Sequence, residues 1–106
     1  MSNSTPEGRV KKEIDKLLAK YHIRTWIWKP VVTVMGKPGL DYICSINGRF
    51  LAIEAKAPGE WLNPRQRGTA RDIYLSGGQV FVISGPEGLA ALGRYLDHEL
   101  CQPAAR

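Results

Sequence analysis

The dipeptide Asn47-Gly48, between two short apolar segments at 41–46 and 49–56, is the strongest constraint on how this chain folds. Asn-Gly favours a two-residue type I′ turn, because both residues take positive φ and the twist of the turn matches that of the flanking strands. The pattern predicts an antiparallel hairpin in which Ile46 lies opposite Arg49. Every further pair across this hairpin then has residue numbers that sum to 95.

This register places charged side chains together at the open end of the hairpin. Asp41 falls opposite Glu54, and directly opposed residues have Cβ atoms about 4.5–5.5 Å apart. Lys56 shares their face because side chains alternate along a strand. Like charges in opposed positions destabilise a sheet, so the pair indicates a site that a cation compensates. The alternative is an ordinary salt bridge in which Lys56 neutralises one of the two carboxylates.

The same set of groups is suited to metal-assisted chemistry. Two carboxylates and a backbone carbonyl, for which Ala55 is the candidate, are the oxygen ligands that Mg²⁺ prefers. Lys56 beside such an ion can hold an attacking water or a phosphate oxygen. These are the parts needed for phosphodiester hydrolysis. The interpretation depends on a hairpin without a bulge, because one slipped residue would send Asp41 to the other face.

Apolar periodicity and turn residues predict further elements around the hairpin. Ser4 or Thr5 can cap the first helix, and Asn63 caps the second, where Gln66 closes a capping box. Pro30 ends the first strand. The helices are predicted over about 6–21, 64–75 and 85–100, and the remaining strands over about 24–29 and 79–84. This order predicts an α/β fold with a mixed central sheet flanked by helices.

Length and composition fit one domain over residues 1–106, with loose ends at 1–5 and 101–106. Hydrophobic residues make up 43% of the chain, the proportion of a globular protein. No apolar run approaches the roughly 20 residues that span a bilayer, and the N-terminus lacks the apolar core of a secretion signal. We therefore expect a cytoplasmic protein without membrane contact.

The balance of charge permits a nucleic-acid partner. Fifteen Lys and Arg residues against ten Asp and Glu residues give a net charge of +5. A basic domain attracts phosphates, although many basic proteins do not bind nucleic acid. The basic residues cluster in two predicted helices, where the alternative is a solvated helix face.

The spacing of the charged residues resembles a known signature. Pro38-Gly39-Leu40-Asp41, then twelve residues, then Glu54-Ala55-Lys56 is similar to the motif of the PD-(D/E)XK nucleases. The departure is Leu40 directly before Asp41, with Pro38 three positions earlier. The resemblance implies a restriction-endonuclease-like αβββαβ core, which has the element order predicted above.

The VRR-NUC branch, the virus-type replication and repair nuclease domain, is a closer match. Its pattern adds a helical Glu, a Gln near the start of the next helix and a Gly-rich step into the last core strand. Here these features correspond to Glu13, Gln66 and Gly77-Gly78. The resemblance extends over about residues 7–96.

The resemblance implies a role for each matched residue. Asp41 and Glu54 would bind the metal together with the Ala55 carbonyl, and Lys56 would be the catalytic lysine. The metal would be Mg²⁺, for which Mn²⁺ substitutes.

Two of the implied roles have alternatives. Glu13 would reach the metal directly or through water, and its alternative is a surface pair with Lys16. Gln66 would orient the lysine, the water or a phosphate, and a capping role is compatible with that.

Minimal members of this branch, from phages and bacteria, resemble homodimeric Holliday junction resolvases. The leading expectation is therefore a homodimeric, Mg²⁺-dependent endonuclease for four-way junctions. Alternatives are activity on flaps or other branched DNA and a non-catalytic DNA-binding module, while a restriction enzyme is less expected in so short a chain. The residues expected to contact phosphates of branched or double-stranded DNA are Lys37, Arg65, Arg67, Arg71, Lys12 and Lys16.

Overall fold

A computed structural model describes residues 5–30 and 40–105 of the chain. It contains three helices and four strands in the predicted order. These are α1 (Pro6–Leu18), β1 (Thr25–Trp28), β2 (Tyr42–Ile46), β3 (Arg49–Ala55), α2 (Pro64–Leu75), β4 (Gln79–Ile83) and α3 (Pro86–Leu100). No helix in these described ranges is long and apolar enough to cross a membrane.

The four strands form one mixed sheet in the order β1-β2-β3-β4. The first two pairings are antiparallel, and β3 pairs with β4 in parallel. Helix α2 makes the crossover that a parallel pair requires. The prediction of an α/β fold with a mixed sheet and flanking helices is confirmed.

The hairpin has the predicted register. Ile46 pairs with Arg49, and the ladder continues without a bulge to Tyr42 and Ile53. Asn47 and Gly48 have φ of 52° and 85°, as a type I′ turn requires. Asp41 and Glu54 are the next two residues at the open end.

The two faces of the sheet have different partners. The apolar core lies between one face and helices α1 and α3, and its strand residues include Tyr42, Ile53 and Ala55. Because side chains alternate, Glu54 points to the opposite face. There α2 covers part of the sheet, and Glu54 is only 4% exposed.

Some boundaries differ from the sequence prediction. Helix α1 ends at Leu18 rather than near residue 21, because the chain tightens into i→i+3 turns that keep Tyr21 against the core. The tail expected to be loose packs on the hairpin turn, where the Ala105 N–H donates to the Asn47 carbonyl. Residues 31–39, which include Lys37 and the start of the Gly39-Leu40-Asp41 turn, lie outside the described residues.

Candidate active site

The open end of the hairpin joins the two carboxylates through backbone amides. The Asp41 N–H donates to Glu54 Oε1 over 3.1 Å, and the Ala55 N–H donates to Asp41 Oδ2 over 2.8 Å. In a strand, the N–H and C=O of one residue point to the same side. The Ala55 carbonyl is therefore on the Asp41 side of β3, as a third oxygen ligand requires.

Nearby positive charge compensates the Glu54 carboxylate only in part: the Lys56 ammonium lies 3.9 Å from Oε2. Burial, and then the neighbouring Asp41 and Glu7 charges, raise the pKa of Glu54 to about 7, against the opposing effects of the Asp41 N–H and Lys56. A buried carboxylate costs free energy unless a cation or hydrogen bonds compensate its charge. A cation bound beside Glu54 would therefore stabilise the charged form of this carboxylate.

Gln66 has the expected capping role and also contacts Glu54, a partner that the sequence did not indicate. The Asn63 N–H donates to Gln66 Oε1 over 3.0 Å, and the Gln66 N–H donates to Asn63 Oδ1 over 2.8 Å, so the capping box is confirmed. The same Gln66 side chain donates from Nε2 to Glu54 Oε2 over 2.7 Å. Both ends of one amide are used, which fixes its orientation at the start of α2.

Lys56 is placed beside Glu54 at the end of β3. Its Nζ lies 3.9 Å from Glu54 Oε2, and its side chain is only 13% exposed. The Lys56 N–H donates to the Ile83 carbonyl of β4, which fixes the backbone here. The Lys56 ammonium is therefore only in loose contact with the Glu54 carboxylate. It can also contact a group that binds beside Glu54.

Helix α1 presents Glu7 and Lys11 to the site, which the sequence interpretation did not select. Lys11 Nζ lies 3.4 Å from Glu7 Oε2 and 3.6 Å from Asp41 Oδ1. Their i, i+4 spacing places both residues on one flank of α1. That spacing was visible in the sequence, but nothing in the sequence indicates which flank faces the hairpin.

Glu13, the helical Glu selected from the sequence, has its contacts elsewhere. Its carboxylate lies 3.4 Å from Lys16 Nζ, and its side chain is 53% exposed. It lines a surface pocket of about 500 Å³ with Pro58 and Leu89 among its neighbours. These contacts fit the alternative of a surface pair, and Glu7 is the α1 acid whose charge acts on Glu54.

The basic residues expected to bind DNA lie on two helices. Arg65 and Arg71 are exposed on α2, and Lys12 and Lys16 are exposed on α1. Arg67, also on α2, donates from Nη1 to the Leu62 carbonyl over 3.0 Å, so it has a structural contact as well.

Comparison with known protein families finds no matching family model, and a search of curated proteins finds no match either.

The two carboxylates lie together at the open end of the hairpin without a third acidic side chain beside them in a metal-binding arrangement. Among residues 5–30 and 40–105, no group of three His, Cys, Asp or Glu side chains is arranged to hold a metal ion. Asp41, Glu54 and the Ala55 carbonyl nevertheless supply hard oxygen ligands, and Mg²⁺ commonly completes its coordination with water. The residues present fit such an ion.

Proposed function

We propose that this chain is a Mg²⁺-dependent endonuclease with a restriction-endonuclease-like fold, acting on branched DNA, with four-way junctions as the leading substrate. The observation that supports this best is the Asp41–Glu54 pair, which two backbone N–H groups hold together although both side chains are acidic. A fold that needed only stability would not gain from two adjacent like charges, one of them buried, at this position.

Asp41, Glu54 and the Ala55 carbonyl are the proposed metal ligands, and Mn²⁺ would substitute for Mg²⁺. When bound, the ion supplies Lewis-acid stabilisation of phosphate charge and a hydroxide source. The protein supplies the rest. Gln66 fixes the Glu54 carboxylate, and the Lys56 ammonium offers a positive charge for the phosphate or the attacking water.

The basic helices support DNA as the partner. Cleavage that selects a DNA shape depends on contacts to the phosphate backbone rather than on reading bases. Arg65 and Arg71 are exposed on α2, the helix whose capping box includes Gln66, so both are accessible to a phosphate backbone. The other proposed phosphate contacts are Lys12, Lys16 and Lys37. Glu13 is a proposed metal ligand only if its side chain leaves Lys16.

The proposed homodimer has support from the outer edge of β1. The Asn47 N–H donates to the Arg24 carbonyl, so alternate residues of β1 point their backbone groups towards β2. Thr25 and Ile27 consequently direct theirs away from it. No strand in the described part of the chain pairs with this edge.

The side chains of β1 suit pairing with a second copy. Trp26 is 59% exposed and Trp28 is 53% exposed, both on the face opposite the core. If β1 pairs antiparallel with β1 of a second copy and Ile27 lies at the centre of the pair, Trp26 lies opposite Trp28 of the partner subunit. Aromatic cross-strand pairs stabilise such ladders.

A panel of labelled DNA substrates tests the enzymatic proposal. Four-way junction, flap and linear duplex are incubated with the protein with and without Mg²⁺ or Mn²⁺. We expect cutting of branched DNA only with the metal, and its loss in Asp41→Asn and Lys56→Met with binding retained. Asp72→Asn, which changes an exposed acid on α2, is the matched control. Absence of cutting on every substrate with either metal contradicts the proposal.

One observation favours a second function, a non-catalytic DNA-binding module. The Asp41 and Glu54 oxygens already accept hydrogen bonds from backbone N–H groups and from Gln66, so the pair can be structural. In that case Asp41→Asn leaves DNA binding unchanged and no substrate is cut.

A further inference from the structure

Lys11 lies between two carboxylates from different elements. Its Nζ is 3.4 Å from Glu7 Oε2 on its own helix and 3.6 Å from Asp41 Oδ1 on the hairpin. The Lys11 side chain is 43% exposed, so it can move into solvent without a large burial cost. A partly exposed cation therefore occupies the α1 side of the carboxylate pair.

The backbone under Lys11 is fixed independently of this ion pair. The Tyr42 hydroxyl, in a side chain only 2% exposed, donates to Asp15 Oδ1 over 2.7 Å and lies 3.1 Å from the Lys11 carbonyl. Tyr42 directly follows Asp41. Helix α1 is thus held against the open end of the hairpin whether or not the lysine ammonium stays in place.

Lys11 contacts Asp41 Oδ1, the oxygen of Asp41 that a divalent ion would have to bind. Asp41 Oδ2 accepts from the Ala55 N–H, while Oδ1 faces the Lys11 ammonium. Glu54 Oε1 accepts from the Asp41 N–H, and its Oε2 accepts from Gln66. A divalent ion shared by the two carboxylates would therefore compete with Lys11 for Asp41 Oδ1.

We propose that Lys11 is the resident counter-ion of this site: it holds Asp41 and Glu7 in place without metal and leaves when a divalent cation binds. This inference rests on the proposed metal site. It assigns Lys11 a positioning role that limits the affinity for the ion, and release of Lys11 frees Glu7 to approach the bound ion.

The test measures Mn²⁺ binding to the DNA-free protein by calorimetry, above the pKa of Glu54. Lys11→Met should bind Mn²⁺ about two- to fivefold more tightly than the original chain, since the loss of a competing, partly exposed ion pair changes affinity by that factor. Lys20→Met, which changes an exposed lysine two residues after the end of α1, is the control and should bind as the original chain does. Lys11→Arg, which keeps the charge, should bind no more tightly.

Thermal unfolding gives a second readout. In a chelator, Lys11→Met should melt below Lys20→Met, and Mn²⁺ should raise its melting temperature by more. If Lys11→Met binds Mn²⁺ no more tightly than Lys20→Met does, the role of Lys11 is wrong while the metal site stands. If none of the proteins, including the original chain, binds Mn²⁺, the metal site fails and Lys11 has no ion to compete with.

Discussion

Gln66 and Glu54 are joined over 2.7 Å by a hydrogen bond from Nε2 to Oε2, although the same Gln66 amide also closes the capping box of α2. The start of a helix and a candidate ligand are thereby fixed by one side chain. Because the two ends of the amide differ, its two roles can be separated by substitution.

The Gln66→Glu substitution separates the two roles. Glutamate keeps an acceptor for the Asn63 N–H, but its second oxygen replaces a donor and faces Glu54 Oε2. We expect loss of DNA cleavage and a loss of about 1–3 kcal/mol in the free energy of unfolding, because a buried acceptor loses its donor. Asn63→Ala is the matched control: it removes the cap, costs about 1 kcal/mol and leaves the Glu54 contact and cleavage intact. Equal cleavage in both variants contradicts the role given to Gln66.

The pH dependence of stability should depend on Glu54. The folded protein keeps the Glu54 proton up to a pKa of about 7, whereas the ordinary value is 4.5. Between these values the folded state binds more protons than the unfolded chain, so the free energy of unfolding of the metal-free protein falls as pH rises, by up to about 3 kcal/mol. Urea unfolding across this range should show the fall in the original chain and lack it in Glu54→Gln. Parallel curves for the two proteins would contradict the raised pKa.

Asp41→Asn should stabilise the metal-free protein while removing its activity. The asparagine carbonyl can still accept from the Ala55 N–H, and the like charge beside Glu54 disappears. Above the pKa of Glu54 we expect a gain of about 0.5–1 kcal/mol in the free energy of unfolding, together with loss of cleavage and of stabilisation by Mn²⁺. Asp72→Asn should change neither property. Lower stability in Asp41→Asn would mean that its contact with Lys11 outweighs the repulsion.

The arginines of α2 should contribute to DNA binding through charge alone. Arg65→Gln and Arg71→Gln are each expected to weaken binding to junctions and to duplex by a similar factor and to reduce the salt-dependence slope by about one. Arg67→Gln should also lower the melting temperature, since its contact with the Leu62 carbonyl is lost. Binding constants measured over a range of salt concentrations test this, and an unchanged slope in Arg65→Gln and Arg71→Gln contradicts it.

The solution mass tests the proposed dimer and its surface. Replacing Trp26 and Trp28 together by serine should shift the protein towards the monomer, because the pair would no longer meet across the β1 edge. Trp61→Ser, which removes a tryptophan 63% exposed in the loop before α2, should leave the mass unchanged. A monomeric original chain contradicts the homodimer, and a dimer that survives the double substitution contradicts the β1 surface.

The sequence predicted well those features that local rules control. Asn47-Gly48 set the hairpin register, and Asn63 with Gln66 set the start of α2, because turns and caps depend on neighbouring residues. The pairing of Asp41 with Glu54 followed from that register alone.

The contribution of α1 could not be predicted in the same way. Periodicity identifies the helix and its apolar stripe, but Glu7 and Glu13 lie on opposite flanks of that stripe. The flank that faces the hairpin depends on long-range contacts such as the one between Tyr42 and Asp15. Nothing in the sequence indicates that Tyr42 and Asp15 are in contact.

The bond from the Ala55 N–H to Asp41 Oδ2 has a consequence for hydrogen exchange. The Ala55 amide is protected by a side chain, whereas the next amide, that of Lys56, is protected by the backbone carbonyl of Ile83. Exchange at Ala55 therefore reports whether the Asp41 carboxylate stays in place, and exchange at Lys56 reports whether the parallel strands stay paired. Exchange rates at these two adjacent amides therefore distinguish rearrangement of the site from opening of the sheet.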